Sequence, residues 1–181
     1  MQKFIVVYYS NTGSNHFLAE KIADALQCDL ERIRPRINRF MFLLIFSWLN
    51  IPARPRALQH DLKNYEKVIL VGPVWMGSFI APLRGFISKY RNQINTLWFI
   101  TCCGSSDKKR DEKFGHAHVF RLVKERVGKK CIDCEAFPIG LVLPEEKQDD
   151  GEVIMNTRLS EQNFGGEIQT RFDNLIQRIS G

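Results

Sequence analysis

Between Arg32 and His60 the chain has no Asp or Glu, yet six arginines fall there: Arg32, Arg34, Arg36, Arg39, Arg54 and Arg56. The whole net charge of +6, from 26 Lys and Arg against 20 Asp and Glu, therefore sits in one segment, and the remaining residues are neutral in sum. That placement argues against a nucleic-acid partner, because such proteins spread basic side chains over a helix or face with polar and aromatic neighbours. Here the arginines flank an apolar run instead. No apolar run reaches the roughly 20 residues of a membrane-spanning helix; Phe40–Leu49 (FMFLLIFSWL) stops at ten. The start MQKFIVVYY lacks the ordered charged, apolar and cleavage regions of a signal peptide, so a cytoplasmic protein is expected, with the inner membrane surface as the site of any peripheral contact. Five cysteines form no disulfide framework, and reduced thiols are expected. A charged share of 25% beside 44% apolar residues excludes intrinsic disorder.

What is present is the composition of one globular domain over residues 1–181, 44% apolar with 13 Phe and 3 Trp. Lys3–Tyr9 (KFIVVYY) is a continuous β-branched and aromatic run, suited to a strand covered on both faces. A helix over Ser14–Leu26 follows, with Leu18, Ile22 and Ala25 inward and Asn and Ser residues as cap candidates. Asp29–Ile33, Lys67–Val71, Thr96–Thr101 and a run from Cys131, broken at Pro138 and Gly140, read as four further strands. Helices are predicted from Pro82 with Leu83, Phe86, Ile87 and Tyr90 inward, from Gly115 to Val127 with Phe120, Val123 and Val127 inward, and along Ile168, Phe172, Leu175 and Ile179. The acidic stretch Glu145–Glu152 reads as a surface loop.

Alternating strands and helices make a doubly wound parallel sheet, whose ligands bind at the carboxyl ends of the strands near a switch point. Three loops should then carry function. Ser10, Asn11, Thr12, Gly13, Ser14 and Asn15 offer backbone N–H groups and hydroxyls at the positive end of a helix, as a phosphate monoester requires. Neither G-x-G-x-x-G nor a Gly-Lys-Ser/Thr loop is present, so the dinucleotide and nucleoside-triphosphate readings fail. Pro73, Val74, Trp75, Met76 and Gly77 place an indole just past a strand end, where it offers either a flat face to a ring system or a core contact. Thr101, Cys102, Cys103 and Gly104, continuing through Ser105–Asp107, are small enough for close backbone approach. Lys108, Lys109 and Arg110 beside them read as a mixed solvated surface. Cys131-Ile132-Asp133-Cys134 has redox spacing but opens a strand, so structural thiols are expected, and no cysteine or histidine set has metal-ligand spacing.

The segments YYSNTGSNHFLAEKIADAL and VILVGPVWMGSFIAPLRGFI resemble the flavodoxin-like family of FMN-binding proteins. The resemblance implies a three-layer sandwich, a five-stranded parallel sheet in the order 2-1-3-4-5 with helices on both faces. It also implies FMN at the carboxyl edge, its phosphate on Ser10–Asn15 and its ring between the other two loops. The family often stacks an aromatic from the third loop on the flavin, and this chain has none there. The resemblance carries two functions: an electron carrier exchanging with a redox partner protein, or a reductase passing hydride from NAD(P)H through FMN to a quinone or similar small acceptor. Family carriers are acidic, and this chain is not. The insert at about 32–60 bears on the choice. A helix over Phe40–Leu49 is apolar all round and must be covered by its own domain or a homodimer, which is the first expectation, or by a membrane surface or hydrophobic substrate.

Overall fold

The structure is a computed structural model that describes residues 3–104 and 115–181. The apolar runs become five parallel strands: β1 (Phe4–Tyr8), β2 (Asp29–Arg32), β3 (Lys67–Val71), β4 (Thr96–Cys103) and β5 (Cys131–Pro138). Their order is β2-β1-β3-β4-β5, as expected. Pairing is in regular register from Phe4 opposite Lys67 to Tyr8 opposite Val71, and from Lys67 opposite Thr96 to Val71 opposite Ile100. The register of β4 with β5 shifts once, between Leu97 and Trp98.

Because strand side chains alternate, the sheet has two apolar faces. One face carries Ile5, Val7, Val68, Leu70, Leu97 and Phe99, covered by α3 (Ala81–Tyr90) and α4 (His116–Val127). The other carries Val6, Tyr8, Ile69, Val71, Trp98 and Ile100, covered by α1 (Ser14–Leu26) and α6 (Glu167–Ser180). Ile168, Phe172, Leu175 and Ile179 are all buried, as are Leu83, Phe86, Ile87 and Tyr90. Between β2 and β3 lies α2 (Phe40–Trp48), and between α4 and α6 lies a short helix, α5 (Gly151–Asn156).

Several expectations are corrected in detail. In α1 the buried small residues are Ala19 and Ala23, while Ala25 is exposed, since the helix presents its stripe at i, i+1, i+4 and i+5. In α4 Val119 takes the fully buried place and Phe120 is half-buried beside it. The helix expected from Pro82 opens one residue earlier, at Ala81. The acidic stretch is no simple loop: Asp150 accepts hydrogen bonds from the N–H groups of Glu152 and Val153 and starts α5. The sharpest correction concerns α2. The helix forms, but its domain buries only Leu43 and Ser47 and leaves most of the apolar surface outside. Among the described residues no helix is long and apolar enough to cross a membrane.

Candidate functional site

The chain leaves β1, passes to the edge strand β2, and returns across β1 to β3, so the sheet order reverses between β1 and β3. Loops at the carboxyl ends of β1 and β3 diverge there and leave a crevice.

The loop after β1 turns at Gly13, whose φ of 108° favours glycine. A Cβ there would meet nothing, so conformation rather than crowding selects the residue. Ser10 Oγ accepts from the Gly13 N–H at 3.1 Å, which closes the turn. The expected caps are otherwise engaged. Ser14 Oγ accepts from the Leu159 N–H at 3.1 Å, and Asn15 reaches across to β4, donating from Nδ2 to the Cys102 carbonyl at 3.0 Å and accepting from the Cys102 N–H at 2.8 Å. The N-terminus of α1 thus has no side-chain cap, and its first turn has no acidic residue. The N–H groups of His16 and Phe17 donate to the Gly13 carbonyl, both at 2.9 Å, and the positive end of the helix dipole meets this loop with no acidic or capping side chain on it. Asn11, Thr12 and Gly13 form the exposed rim of this loop, and Ser14 and Asn15 its buried floor.

The loop after β3 contains a small hairpin that the sequence reading missed. Val74–Trp75 pairs antiparallel with Ser78–Phe79, joined by Met76 and Gly77 with φ of 49° and 70°. Two left-handed residues in a two-residue turn match the strand twist, the geometry of a type I′ hairpin. This holds Met76 at the tip, 86% exposed despite its apolar side chain. Trp75 is half-buried, edge-on to Phe40 of α2 at 5.3 Å and to Tyr9 at 6.2 Å between ring centroids.

The end of β4 supplies the third side. Thr101, Cys102 and Cys103 are buried and Gly104 is exposed. Burial pushes the Cys102 thiol far above its ordinary range, which removes it as a nucleophile. Ser105–Asp107 and Lys108, Lys109 and Arg110 lie outside the described residues.

These three loops close on one cleft of about 450 Å³. Of the residues singled out in sequence, Thr12, Ser14, Asn15, Pro73, Val74, Trp75, Met76, Cys102, Cys103 and Gly104 line it. Ser10, Asn11, Gly13, Gly77 and Thr101 stand behind or beside it as parts of the same turns. The other walls went unseen in the sequence: Phe40 and Leu44 from α2, Ile139 after β5, and Ile154, Met155, Thr157 and Arg158 from α5 and its exit. Arg158 brings a cation to a loop that has none of its own. No local pattern marks it, since the Leu159–Ser14 hydrogen bond that draws it there spans 145 positions.

The Cys131–Cys134 pair lies at the amino end of β5, on the opposite edge of the sheet from the cleft. Its sulfurs are nevertheless 3.7 Å apart and hydrogen-bonded. Among the described residues no group of three His, Cys, Asp or Glu side chains is placed to hold a metal ion.

No family model matches the sequence, and no curated protein does. Solved structures do match. The chain is similar to a flavoprotein from Lactobacillus acidophilus NCFM crystallised in complex with FMN, with TM-score 0.59 and 18% identity over 75% of this chain and 93% of that one. It is similar to the apo-form of the flavoprotein from that organism, solved by NMR, with TM-score 0.57 and 16% identity over 83% and 97%. A provisionally assigned flavoprotein from Bacteroides eggerthii DSM 20697 gives TM-score 0.61 and 17% identity over 86% and 94%. The fold is flavodoxin-like. In flavodoxin-like terms the cleft occupies the switch point between β1 and β3, and α2, the hairpin and α5 are the elements that shape it.

Proposed function

We propose that this protein binds FMN in the cleft and transfers electrons through it. The observation that carries the reading is the convergence of three carboxyl-edge loops on one cleft, with an uncapped helix N-terminus at one part of its rim and Trp75 and Met76 at another. The residues present fit the group. A volume of about 450 Å³ falls in the range of small-molecule sites. The phosphate would take the N–H groups of Ser14 and Asn15 at the start of α1 and the Thr12 hydroxyl, with Arg158 adding charge. The ring would lie among Trp75, Met76 and the backbone of Cys102–Gly104. When bound, FMN supplies electron or hydride exchange, and the protein supplies position and surroundings. Asn15 sets the spacing of the first and third loops, and the apolar walls exclude water from the ring.

One feature favours the reductase reading over a plain carrier. Phe40 and Leu44 extend the apolar wall beyond Trp75, which suits a small apolar acceptor such as a quinone, reduced with NAD(P)H as donor. Reconstitution tests the first reading: the purified protein should turn yellow with FMN and quench its fluorescence, and a colourless protein that takes up none overturns it. NAD(P)H oxidation with a quinone acceptor tests the second, whereas exchange with a redox partner protein and no such turnover would favour the carrier.

A further inference from the structure

Buried polar contacts fasten α2 to the protein beside the packing of Leu43 and Phe46 on the core. Ser47 Oγ donates to the Leu43 carbonyl at 2.6 Å and accepts from the Ala81 N–H at 2.9 Å. The buried Arg84 guanidinium donates to the carbonyls of Phe46 and Ser47 at 2.9 and 3.0 Å, and to Asn50 Oδ1 and the Phe79 carbonyl at 3.0 and 2.6 Å. It sits on the negative end of the α2 dipole, which favours a cation there. Fastened on this side, the helix turns Met41, Phe42, Ile45 and Trp48 to solvent, with Trp48 80% exposed. Leu49 and Ile51 continue the patch. A contiguous apolar surface of this kind marks an interaction site.

The arginines stand beside it for a reason visible in the chain. Residues 31–36 and 53–56 alternate buried and exposed, so Ile33, Pro35, Ala53 and Pro55 face inward while Arg32, Arg34, Arg36, Arg54 and Arg56 face out. The two segments pair antiparallel at Pro35 and Pro55, with the Arg36 N–H on the Arg54 carbonyl at 3.0 Å and the Arg56 N–H on the Arg34 carbonyl at 2.8 Å. The result is a two-stranded ribbon with five guanidinium groups on its outer side, and Arg39 follows at the start of α2. None of the six is paired with a carboxylate among the described residues. Arg32, Arg34 and Arg56 line one hollow of about 280 Å³. Arg36 and Arg54 line another of about 280 Å³ together with Phe46 of α2, so cationic and apolar surfaces are continuous.

We infer that α2 and the arginine ribbon dock this protein on the surface of an anionic phospholipid bilayer, with the apolar face at the acyl boundary and the arginines on lipid phosphates. At 1.5 Å per residue a nine-residue helix is about 14 Å long, so it lies in the interface and does not cross. Trp48 is the side chain expected at headgroup depth. A second copy is a poorer occupant. A two-fold contact through this patch would set the unpaired arginines of both copies against each other with no carboxylate between them. A bilayer supplies the opposite charge and demands no matching shape. Because Phe40 and Leu44 of the same helix wall the cleft, docking brings the cleft mouth to headgroup level.

Vesicle flotation of the full chain tests this, and it needs no flavin, so its failure is distinct from failure of the FMN reading. Vesicles with about one-third phosphatidylglycerol in phosphatidylcholine should carry the protein, and pure phosphatidylcholine should carry far less. The double variant Arg34→Gln/Arg56→Gln should lower partitioning at low salt by about 25-fold, from roughly fivefold per interfacial arginine. Trp48→Ser/Ile45→Ser should lower it at low and high salt alike, with circular dichroism unchanged because both side chains are exposed. Trp48 emission should shift to the blue on binding. No flotation of the wild-type chain with the anionic vesicles overturns the inference. So does flotation that neither double variant reduces, or a concentration-dependent dimer lost in Trp48→Ser/Ile45→Ser without any vesicle binding.

Discussion

Asn15 and Cys102, 87 positions apart, exchange two hydrogen bonds, Nδ2 to carbonyl and N–H to Oδ1. The side-chain amide acts here as a piece of backbone, pairing with the end of β4 as a neighbouring strand would. It joins the loop that presents the α1 N-terminus to the loop on the far side of the cleft.

Asn15→Ala leaves the buried N–H and carbonyl of Cys102 unpaired, and a loss of about 1–3 kcal/mol of stability is expected. FMN affinity should fall with it, because the two loops lose their fixed spacing. Asn15→Asp separates the effects. It keeps the acceptor for the Cys102 N–H but sets a carboxylate against the Cys102 carbonyl and beside the phosphate position. Thermal melts and flavin-fluorescence titration of both variants check this. Unchanged FMN affinity in Asn15→Asp would contradict a phosphate at the start of α1.

Arg158→Gln addresses the charge of the same site. FMN differs from riboflavin by its phosphate, so an arginine acting through that phosphate should matter for one ligand alone. We expect FMN affinity to fall by about tenfold, in the range of one charge-assisted hydrogen bond, with riboflavin affinity unchanged. Parallel titrations with the two ligands give the answer, and an equal loss for both would assign Arg158 to the packing of α5.

The strands and long helices were legible because buried apolar runs and 3.6-residue stripes are local signals. The site was legible where it depends on strand ends: the loops after β1, β3 and β4 meet as a parallel sheet requires. Three things were not. The α5 wall was hidden by acidic composition, since Asp150 and Glu152 read as loop residues and in fact start a helix. The hairpin was hidden because Met76 adopts a left-handed conformation that its residue type does not advertise. The orientation of α2 was hidden because its own sequence is apolar on every side. Arg84, on another helix, decides which side faces in.

Gly85 on α3 tests how tightly that arrangement is set. A Cβ there would lie 1.8 Å from the Ala53 carbonyl oxygen and 2.6 Å from its carbon, both backbone atoms that cannot rotate away. Ala53 is itself held, its N–H donating to the Ala81 carbonyl at 2.9 Å. Alanine is the better helix former by about 1 kcal/mol. Gly85→Ala should nevertheless lose about 1–3 kcal/mol in chemical denaturation, because the segment carrying Arg54 and Arg56 must move. A stabilised variant would show that α3 and the ribbon do not approach so closely.

The cysteines should separate by reactivity and by pH. Cys131 and Cys134 share a thiol hydrogen bond, and a Cys134 thiol donating to a Cys131 thiolate holds the Cys131 thiol below its ordinary range and the Cys134 thiol far above. Burial pushes Cys28 up to about 11 and Cys102 higher still. Iodoacetamide near neutral pH should therefore label Cys131 ahead of Cys28, Cys102 and Cys134, read by peptide mass spectrometry, and Cys134→Ser should slow that labelling only in part because a hydroxyl can still donate. The raised groups bear on stability. Above the ordinary thiol value of 9.0 an unfolded Cys28 loses its proton, while the folded one keeps it to about pH 11. The folded state then binds more protons than the unfolded state, so stability falls as pH rises from about 9 to about 11. Cys28→Ala should flatten that decline in melting temperature measured across the same interval, and an unchanged slope would place its cause in other groups.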